Sequence, residues 1–442
     1  MNLLPLSSLL GPGRAPDHPL ALSGTTSIDF GRFSAETAGA AHRLRATGCR
    51  RAALLCQDSY RFAIGLFGLL QAGITAVMPA NGQPGTLNAL SDAFDLLVDD
   101  AFLDGPCAEV APLTQLDPTR PAFEFFTSGS TGAPKRIIKT LGMLEREVAT
   151  LDRLWGQEMG PGPTVATVSH QHIYGLTFKL LWPLASGRPF AGEMHELWER
   201  LLDRLPADAV IITSPAHLGR LSGIAPLAPA RRPRGIFSAG APLSLSAAKD
   251  AVEILGVCPT EIFGSTETGA IATRRQTGGE EAWQALPGIT IASDAEECLK
   301  LRSPFLDNDD WFKTADMIEP AANGFHLRGR ADRIVKIEGK RISLTAIEQA
   351  LSSSPWTEAA AAVALPGDPT RLAVLVVPSE AGRAKLAELG SFRFGRLLRK
   401  ALSDTQEPAG LPRLWRFRDQ LPGGHMGKRH DAELLALFDA SR

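Results

Sequence analysis

The chain has 442 residues, with 46 Lys and Arg against 48 Asp and Glu and a formal net charge of −2. Its length exceeds what one ordinary hydrophobic core supports and predicts two or more domains, while its near-neutral, mixed charge disfavours nucleic acid or an anionic membrane as a partner. The five cysteines are scattered, odd in number and without a Cys-x-x-Cys pair, so neither a disulfide framework nor a zinc site is indicated, and a cytoplasmic location is expected.

The N-terminal part alternates short apolar runs with amphipathic segments. Apolar runs that predict strands lie at 52–56, 74–78, 95–98, 164–168, 209–212 and 235–237. Helical periodicity is found at 35–47, with Ser34 as a cap, and at 60–71, 141–155, 194–205 and 243–255. This alternation predicts an α/β fold, with mostly parallel sheets and flanking helices over residues 1–330. The longest apolar stretches, such as 62–70, are too short to span a membrane, and a basic leader is absent, so neither a membrane anchor nor a signal peptide is expected.

The pattern changes near Arg328. Strands are predicted at 334–337, 357–363 and 371–377, and helices at 344–351 and 382–389. We interpret residues 331–442 as a small α+β domain of about a hundred residues, a common domain size.

The most informative segment reads FFTSGSTGAPK, from Phe125 to Lys135. An apolar strand leads into glycines and hydroxyl side chains, and the segment ends at a lysine. Glycine lets the backbone approach a ligand and direct several N–H groups at one anion, and the lysine adds a full charge. The preceding strand and the following Pro-Lys disfavour a flexible surface loop. The spacing also does not fit GxxxxGK(S/T), the phosphate loop of the common NTPases. The expected polyphosphate-binding residues are Thr127, Ser128, Gly129, Ser130, Thr131, Gly132 and Lys135.

This segment resembles the signature loop (S/T)SG(S/T)TGxPK of the adenylate-forming superfamily, which includes acyl-CoA synthetases, adenylation domains of peptide synthetases and luciferases. Every position is met here. The resemblance implies a large N-terminal domain, a small mobile C-terminal domain and a loop that closes over the β- and γ-phosphates of ATP. Further motifs of the family follow along the chain in the same order, which makes the set highly specific.

Two segments resemble the family's acyl-binding motifs. Residues 168–176, VSHQHIYGL, are similar to HxxGL, with His172 in the position of the family's histidine; a core histidine is the alternative. Residues 237–243, FSAGAPL, resemble the (S/G)GAPL turn that borders adenine and the acyl pocket, through Gly240, Ala241 and Pro242. The expected pocket residues are His172, Tyr174, Phe178, Ser214, Ser238 and Gly240.

Residues 262–267, IFGSTE, resemble (Y/F)G(S/T)TE and include Phe263 and Gly264. The resemblance implies that the Thr266 hydroxyl contacts the α-phosphate and that Glu267 helps to hold Mg²⁺, which agrees with the preference of a hard cation for carboxylate oxygens. Residues 311–316, WFKTAD, resemble WxxTGD, in which Asp316 would bind the ribose hydroxyls. Ala315 replaces the usual glycine.

The remaining motifs lie in the C-terminal part. Residues 327–343 resemble GRxDRxxKxxGxRI at the domain junction. The resemblance implies that Arg330 faces the ribose and phosphate, that Asp332 is the hinge, and that Gly339 lies near the thiol channel. Residues 422–428, PGGHMGK, resemble PxxxxGK, whose lysine, here Lys428, reaches the carboxylate and the α-phosphate.

The resemblance therefore implies an ATP- and Mg²⁺-dependent ligase that forms an acyl-adenylate and transfers the acyl group to a phosphopantetheine thiol. Peptide-synthetase adenylation domains usually carry an aspartate in the pocket segment. Residues 169–180 contain no acidic residue, which favours a hydroxybenzoate-like aryl acid or a short- to medium-chain acid over an amino acid.

The chain is similar to small stand-alone acyl- or aryl-[acyl carrier protein] ligases. An evident basic cluster for the 3′-phosphate of CoA is lacking, so a carrier protein is favoured as the acceptor. An acyl-CoA synthetase is the alternative. A non-catalytic nucleotide-binding module is disfavoured, because Thr266, Glu267, Asp316 and Lys428 are all retained.

Overall fold

The computed structural model describes residues 2–24, 26–105, 112–128, 134–278, 281–337, 340–365, 371–403, 408–422 and 431–439. The strands within them are β1 (Pro19–Ser23), β2 (Thr26–Asp29), β3 (Arg51–Leu55), β4 (Thr75–Met78), β5 (Leu96–Asp99), β6 (Pro121–Ser128), β7 (Pro134–Thr140), β8 (Thr164–Ala166), β9 (Phe190–Ala191), β10 (Val210–Thr213), β11 (Gly235–Ala239), β12 (Thr260–Ser265), β13 (Gly269–Arg274), β14 (Gln284–Ala285), β15 (Thr290–Ser293), β16 (Cys298–Arg302), β17 (Phe312–Ala321), β18 (Gly324–Arg330), β19 (Ile334–Ile337), β20 (Lys340–Ser343), β21 (Thr357–Leu365), β22 (Arg371–Pro378) and β23 (Leu414–Phe417).

The helices are α1 (Phe30–Thr47), α2 (Ser59–Ala72), α3 (Pro84–Ala89), α4 (Asp100–Leu103), α5 (Leu141–Leu151), α6 (Gln157–Met159), α7 (Ile173–Gly175), α8 (Trp182–Ser186), α9 (Trp198–Asp203), α10 (Pro215–Leu218), α11 (Leu245–Leu255), α12 (Leu344–Ser352), α13 (Glu380–Leu402) and α14 (Asp431–Asp439). A π-helical turn, Asp152–Gly156, joins α5 to α6, and another, Leu176–Leu181, joins α7 to α8. None of the described helices is both long and apolar enough to cross a membrane.

The chain divides into two compact units. Unit 1 comprises Met1–Thr290 and Arg302–Asp310, and unit 2 comprises Ile291–Leu301 and Trp311–Arg442. The domain boundary between residues 330 and 331 stays a prediction.

A nine-stranded sheet organises much of unit 1, in the order β14-β13-β12-β11-β10-β8-β9-β1-β2. The strands from β12 to β1 in this order run parallel, and antiparallel strands complete both edges. Because the central strands are parallel, the carboxyl ends of β8, β10, β11 and β12 lie at one edge, where ligands commonly bind in α/β proteins. Buried side chains of α11 pack against one face of this sheet.

A five-stranded sheet has the order β5-β3-β4-β6-β7. β5, β3, β4 and β6 run parallel, and β7 pairs antiparallel with β6. The α/β fold class with mostly parallel sheets is confirmed.

Unit 2 contains smaller sheets. Its four-stranded sheet has the order β15-β16-β17-β18, and a hairpin of β19 and β20 follows in the chain. β21, β22 and β23 form a three-stranded sheet, whose core is shared with α12 and α13 through Ile347, Val374, Phe394 and Leu398.

Some element boundaries differ from the sequence expectation for local reasons. α1 begins at Phe30 rather than after Ser34, because the Asp29 carboxylate accepts the N–H of Arg32 at 2.8 Å and caps the helix earlier. α9 is shorter than 194–205, because His195 donates its N–H to Ala166 at the end of β8. α13 extends well beyond 382–389, with a non-helical break at Gly390, where φ is +72°.

Candidate active site

The strand that follows the expected phosphate loop supplies its lysine. β6 and β7 pair so that Thr127 lies opposite Lys135 and Ser128 opposite Pro134. Four of the expected loop residues lie outside the described part of the chain: Gly129, Ser130, Thr131 and Gly132.

The turn between β12 and β13 carries Thr266 and Glu267. Two neighbours brace it: the backbone N–H of Ser265 donates to the Thr268 hydroxyl at 3.1 Å, and that of Thr268 donates to the Ser265 hydroxyl at 3.2 Å. Gly269 ends the turn with φ +67°, a conformation that favours glycine. Thr266 and Glu267 are both partly exposed, so the turn presents a hydroxyl and a carboxylate at the carboxyl end of β12.

An ion pair joins the two motifs. Lys135 Nζ lies 2.9 Å from Glu267 Oε1, although 132 residues separate them in the sequence. Burial alone would raise the pKa of Glu267, but hydrogen bonds from Lys135, from the backbone and from Ser265 outweigh it and lower the pKa below its usual value. Glu267 is therefore ionised at neutral pH. The sequence prediction that these motifs converge is supported at this contact.

Two buried charged residues lie behind this turn, and the sequence analysis missed both. Lys139 on β7 donates from Nζ to the carbonyl oxygens of Glu267, at 2.5 Å, and Phe305, at 3.1 Å. Glu147 on α5 accepts the N–H of Ala270 at 2.9 Å. Burial lowers the pKa of Lys139 and raises the pKa of Glu147 to about 7, although Ala270 and Lys139 oppose the latter shift. The sequence did contain a sign of them, since each is a charged residue on an otherwise apolar face of its strand or helix.

The turn after β11 contains Gly240, Ala241 and Pro242. Gly240 has φ +98° and is exposed, as is Ala241. Because Ala239 pairs with Ile262, this turn lies beside the strand that leads to Phe263 and Gly264. The turn after β11 and the Thr-Glu turn thus share the carboxyl edge of the nine-stranded sheet.

The expected pocket histidine, His172, and its neighbour His170 differ in environment. His170 is buried, with Nδ1 2.8 Å from the Ser59 hydroxyl and Nε2 2.9 Å from the Cys56 carbonyl. Burial lowers the pKa of His170 to about 3, so it is a neutral structural residue that ties this loop to the start of α2. His172 precedes α7 and is partly exposed, which disfavours the alternative of a core histidine.

The expected pocket residues do not all share one face. The rings of Tyr174 and Phe178 are 5.0 Å apart, and Phe178 is 5.5 Å from Phe237 on β11. Ser238 follows Phe237, and strand alternation directs it to the opposite face, where α11 packs. The Ser214 hydroxyl pairs with His217 Nδ1 at 2.9 Å. Strand alternation thus places Ser238 on the other face of β11 from Phe237, and the grouping of the expected pocket residues stays a prediction.

The expected ribose and hinge residues form a cluster within unit 2. Arg330 contacts Asp316 at 3.2 Å and grips both carboxylate oxygens of Asp332, at 3.0 and 2.7 Å. Burial raises the pKa of Asp316, although the Arg330 charge opposes this shift, and the Asp332 hydrogen bonds raise the pKa of Arg330. Gly339 and Lys428 lie outside the described residues.

Comparisons with known proteins point to the same family as the sequence motifs. The sequence model of the family described as AMP-binding enzyme matches residues 82–296. The 4-coumarate–CoA ligase of Rhodobacter capsulatus is 31% identical over 322 residues, which cover 70% of this chain and 74% of that protein. The 3-hydroxybenzoate–CoA/4-hydroxybenzoate–CoA ligase of Thauera aromatica is 28% identical over 386 residues, which cover 77% of this chain and 70% of the relative.

A solved structure shares the fold. The ATP-bound RpMatB-BxBclM chimera B1 superposes with a TM-score of 0.82 and 17% identity, and the match covers 99% of both chains.

Proposed function

Because the chain belongs to the adenylate-forming superfamily and is an ATP-dependent acid–thiol ligase, we propose that it joins an aromatic carboxylic acid to a phosphopantetheine thiol through an acyl-adenylate. The observation that carries the proposal is the ion pair between Lys135 and Glu267, at 2.9 Å. This contact joins two charges from different motifs. The cation is Lys135, the last residue of the phosphate-loop motif, and the anion is Glu267 of the Thr-Glu turn.

The turn is suited to Mg²⁺ only as an ion shared with the nucleotide. The described residues contain no group of three or more His, Cys, Asp or Glu that could hold a metal. Glu267 offers one ionised, partly exposed carboxylate, which fits the usual mode of Mg²⁺ binding through one or two carboxylates and substrate phosphates. When bound there, Mg²⁺ would supply charge neutralisation at the phosphates.

In the first half-reaction, a carboxylate oxygen of the acid attacks the α-phosphorus of ATP and pyrophosphate leaves. No general base is needed, because a carboxylic acid is already ionised at neutral pH. Both reactants are anionic, so positioning and charge stabilisation dominate the catalysis. Lys135 holds the leaving phosphates, Thr266 contacts the α-phosphate, and Lys428 contacts both reacting groups.

In the second half-reaction, the thiol attacks the acyl carbon and AMP leaves. We propose that Asp316 and Arg330 hold the ribose, and that unit 2 turns about Asp332 between the two steps, with Gly339 near the thiol. A rotation of this kind would withdraw Lys428 once the adenylate has formed.

The acid class is supported by the relatives. The two relatives described above act on 4-coumarate and on hydroxybenzoates, according to their names. An aromatic acid is therefore favoured over a short aliphatic one.

The acceptor that we propose is CoA, because both relatives are CoA ligases by name. A carrier protein, which the sequence favoured, presents the same phosphopantetheine thiol and stays a prediction. The two acceptors differ beyond the pantetheine arm, so a direct comparison separates them.

The experiment measures pyrophosphate release by the full chain with ATP, Mg²⁺ and one acid at a time. The panel comprises 4-coumarate, 3- and 4-hydroxybenzoate, benzoate, octanoate and phenylalanine, followed by CoA or an acyl carrier protein with each active acid. Release that depends on an aromatic acid, followed by acyl-CoA formation, is the expected result. Release with phenylalanine alone, or with no acid of the panel, would overturn the proposal, and a thioester formed on the carrier protein but not on CoA would overturn the acceptor.

A further inference from the structure

Lys139 is a buried lysine without a carboxylate partner at contact distance. Its relative exposure is 2%, and its Nζ bonds to two backbone carbonyls, those of Glu267 and Phe305. Among the described residues, no carboxylate forms an ion pair with it. Neutral carbonyls satisfy its hydrogen bonds, and the charges of Glu147, Glu267 and Asp307 offset part of the cost of burying its charge without contacting it.

The position would suit an apolar side chain. β7 alternates between exposed Arg136 and Ile138 and buried Ile137 and Lys139, so a leucine or methionine at residue 139 would match the strand period. Burying an ammonium group is costly. Packing alone does not explain a lysine here. Its role lies in the contacts of its ammonium group with the Glu267 and Phe305 carbonyls.

Lys139 and Glu147 hold the same turn from behind. Lys139 fixes the carbonyl of Glu267, while Glu147 accepts the N–H of Ala270 at 2.9 Å. A side-chain carbon at Gly269 would lie 2.6 Å from a Glu147 carboxylate oxygen, so these groups are in close contact. Buried charged groups thus hold the turn at two points, the carbonyl of Glu267 and the N–H of Ala270.

The two lysines at this turn differ in mobility. The Lys135 side chain is 59% exposed and contacts the Glu267 carboxylate, so it can move to the phosphates of ATP. Lys139 is enclosed and contacts the Glu267 backbone, so its charge stays in place. A fixed charge in a water-poor environment stabilises developing negative charge without reorganisation during the reaction.

We propose that Lys139 is a positioning residue for adenylate formation, which fixes the Glu267 carbonyl and places an ammonium group behind the Thr266–Glu267 turn. The inference rests on the proposed function, because it deepens the role of the same turn. Lys139 does not touch the acyl group or the thiol in this scheme, so it acts on the first half-reaction and not on the second.

The test compares Lys139→Met, which keeps an unbranched apolar stem but lacks the ammonium group, with Lys139→Arg, which keeps the charge. Arg188→Met is the matched control, since Arg188 is also 2% exposed and stacks on Trp182, with the guanidinium carbon 4.2 Å from the ring centroid. The measurements are acid-dependent ATP–pyrophosphate exchange, thioester formation from supplied acyl-AMP, and the thermal midpoint.

Lys139→Met should lower kcat of exchange by roughly 100-fold, as the loss of one preorganised electrostatic group does. The KM for the acid and thioester formation from acyl-AMP should stay near wild type, and Lys139→Arg should recover at least part of the lost kcat. Arg188→Met should leave exchange unchanged at temperatures where it is folded. If Lys139→Met does not fold, Lys139→Gln replaces it in the same assays.

Equal loss in both half-reactions, wild-type exchange in Lys139→Met, or an equal loss in Arg188→Met would overturn the positioning role. A failure of the proposed function gives a different result: the wild-type chain itself would then show no acid-dependent exchange.

Discussion

Glu147 offers a test of how deeply the charges behind the Thr-Glu turn are buried. Burial raises its pKa from 4.5 to about 7, while the Ala270 N–H and the Lys139 charge oppose the shift. A raised carboxyl pKa means that the folded state binds the proton more tightly than the unfolded state. The stability contributed by this proton is fully present below pH 4.5 and is lost as the pH rises through 7.

The magnitude follows from the two pKa values. At about 1.4 kcal/mol per pKa unit, the loss is about 3 kcal/mol in total, and most of it falls between pH 5 and pH 8. Glu147→Gln keeps an oxygen that can accept the Ala270 N–H but cannot ionise. We therefore expect the variant and the wild type to have similar stability near pH 5, and the variant to be more stable by about 2 to 3 kcal/mol at pH 8.

The assay is urea unfolding of both proteins at pH 5, 6, 7 and 8, followed by the fluorescence of the buried Trp155 and Trp182, which lie in the same unit. The difference in free energy of unfolding between the two proteins removes contributions that they share, such as that of the neutral buried His170. A difference that stays constant from pH 5 to pH 8 would mean that Glu147 is ionised throughout and that its neighbours compensate the charge fully. That result would refute the reasoning.

Three further predictions concern the same site and its surroundings. Lys428→Ala should abolish adenylate formation but spare thioester formation from supplied acyl-AMP; equal loss of both steps would contradict its assigned role. Glu267→Gln should raise the Mg²⁺ concentration needed for half-maximal exchange by roughly tenfold, since a neutral amide is a poorer ligand for a hard cation, and an unchanged Mg²⁺ titration would contradict metal binding there. Gly264→Ala would bring a side-chain carbon within 2.1 Å of the Gly269 carbonyl oxygen, so it should lower the free energy of unfolding by roughly 2 kcal/mol or more, whereas Gly85→Ala, with open space around it, should not.

The fold class could be predicted because apolar runs of strand length alternate with helical periodicity. α12 was expected at 344–351 and is found at Leu344–Ser352, and β10 was expected at 209–212 and is found at Val210–Thr213. The strands of the four-stranded sheet in unit 2 were not predicted. β15 and β17 have few fully buried positions, so they lack the apolar run on which the prediction depended.

The site was predicted only as far as its motifs extend. The spacing around Lys135 and Thr266–Glu267 identified both motifs, and the ion pair at 2.9 Å brings them together. Lys139 and Glu147 were missed, because a charged residue on an apolar face reads as an interruption of the pattern until its partners are known. Their partners are backbone groups 123 or more residues away, and a sequence pattern cannot reveal such contacts.

Under the proposed function, the ion pair between Lys135 and Glu267 would keep the site ready for ATP. An exposed ion pair is worth about 0 to 1 kcal/mol, and the Lys135 side chain is 59% exposed, so phosphate groups can take over this lysine at little cost. While the pair lasts, it lowers the pKa of Glu267 and keeps the carboxylate ionised. If Lys135 moves to the phosphates as proposed, the contact of Lys139 with the Glu267 carbonyl would keep the shape of the turn. An exchangeable charge and a fixed charge on one strand thus serve different needs of the same carboxylate.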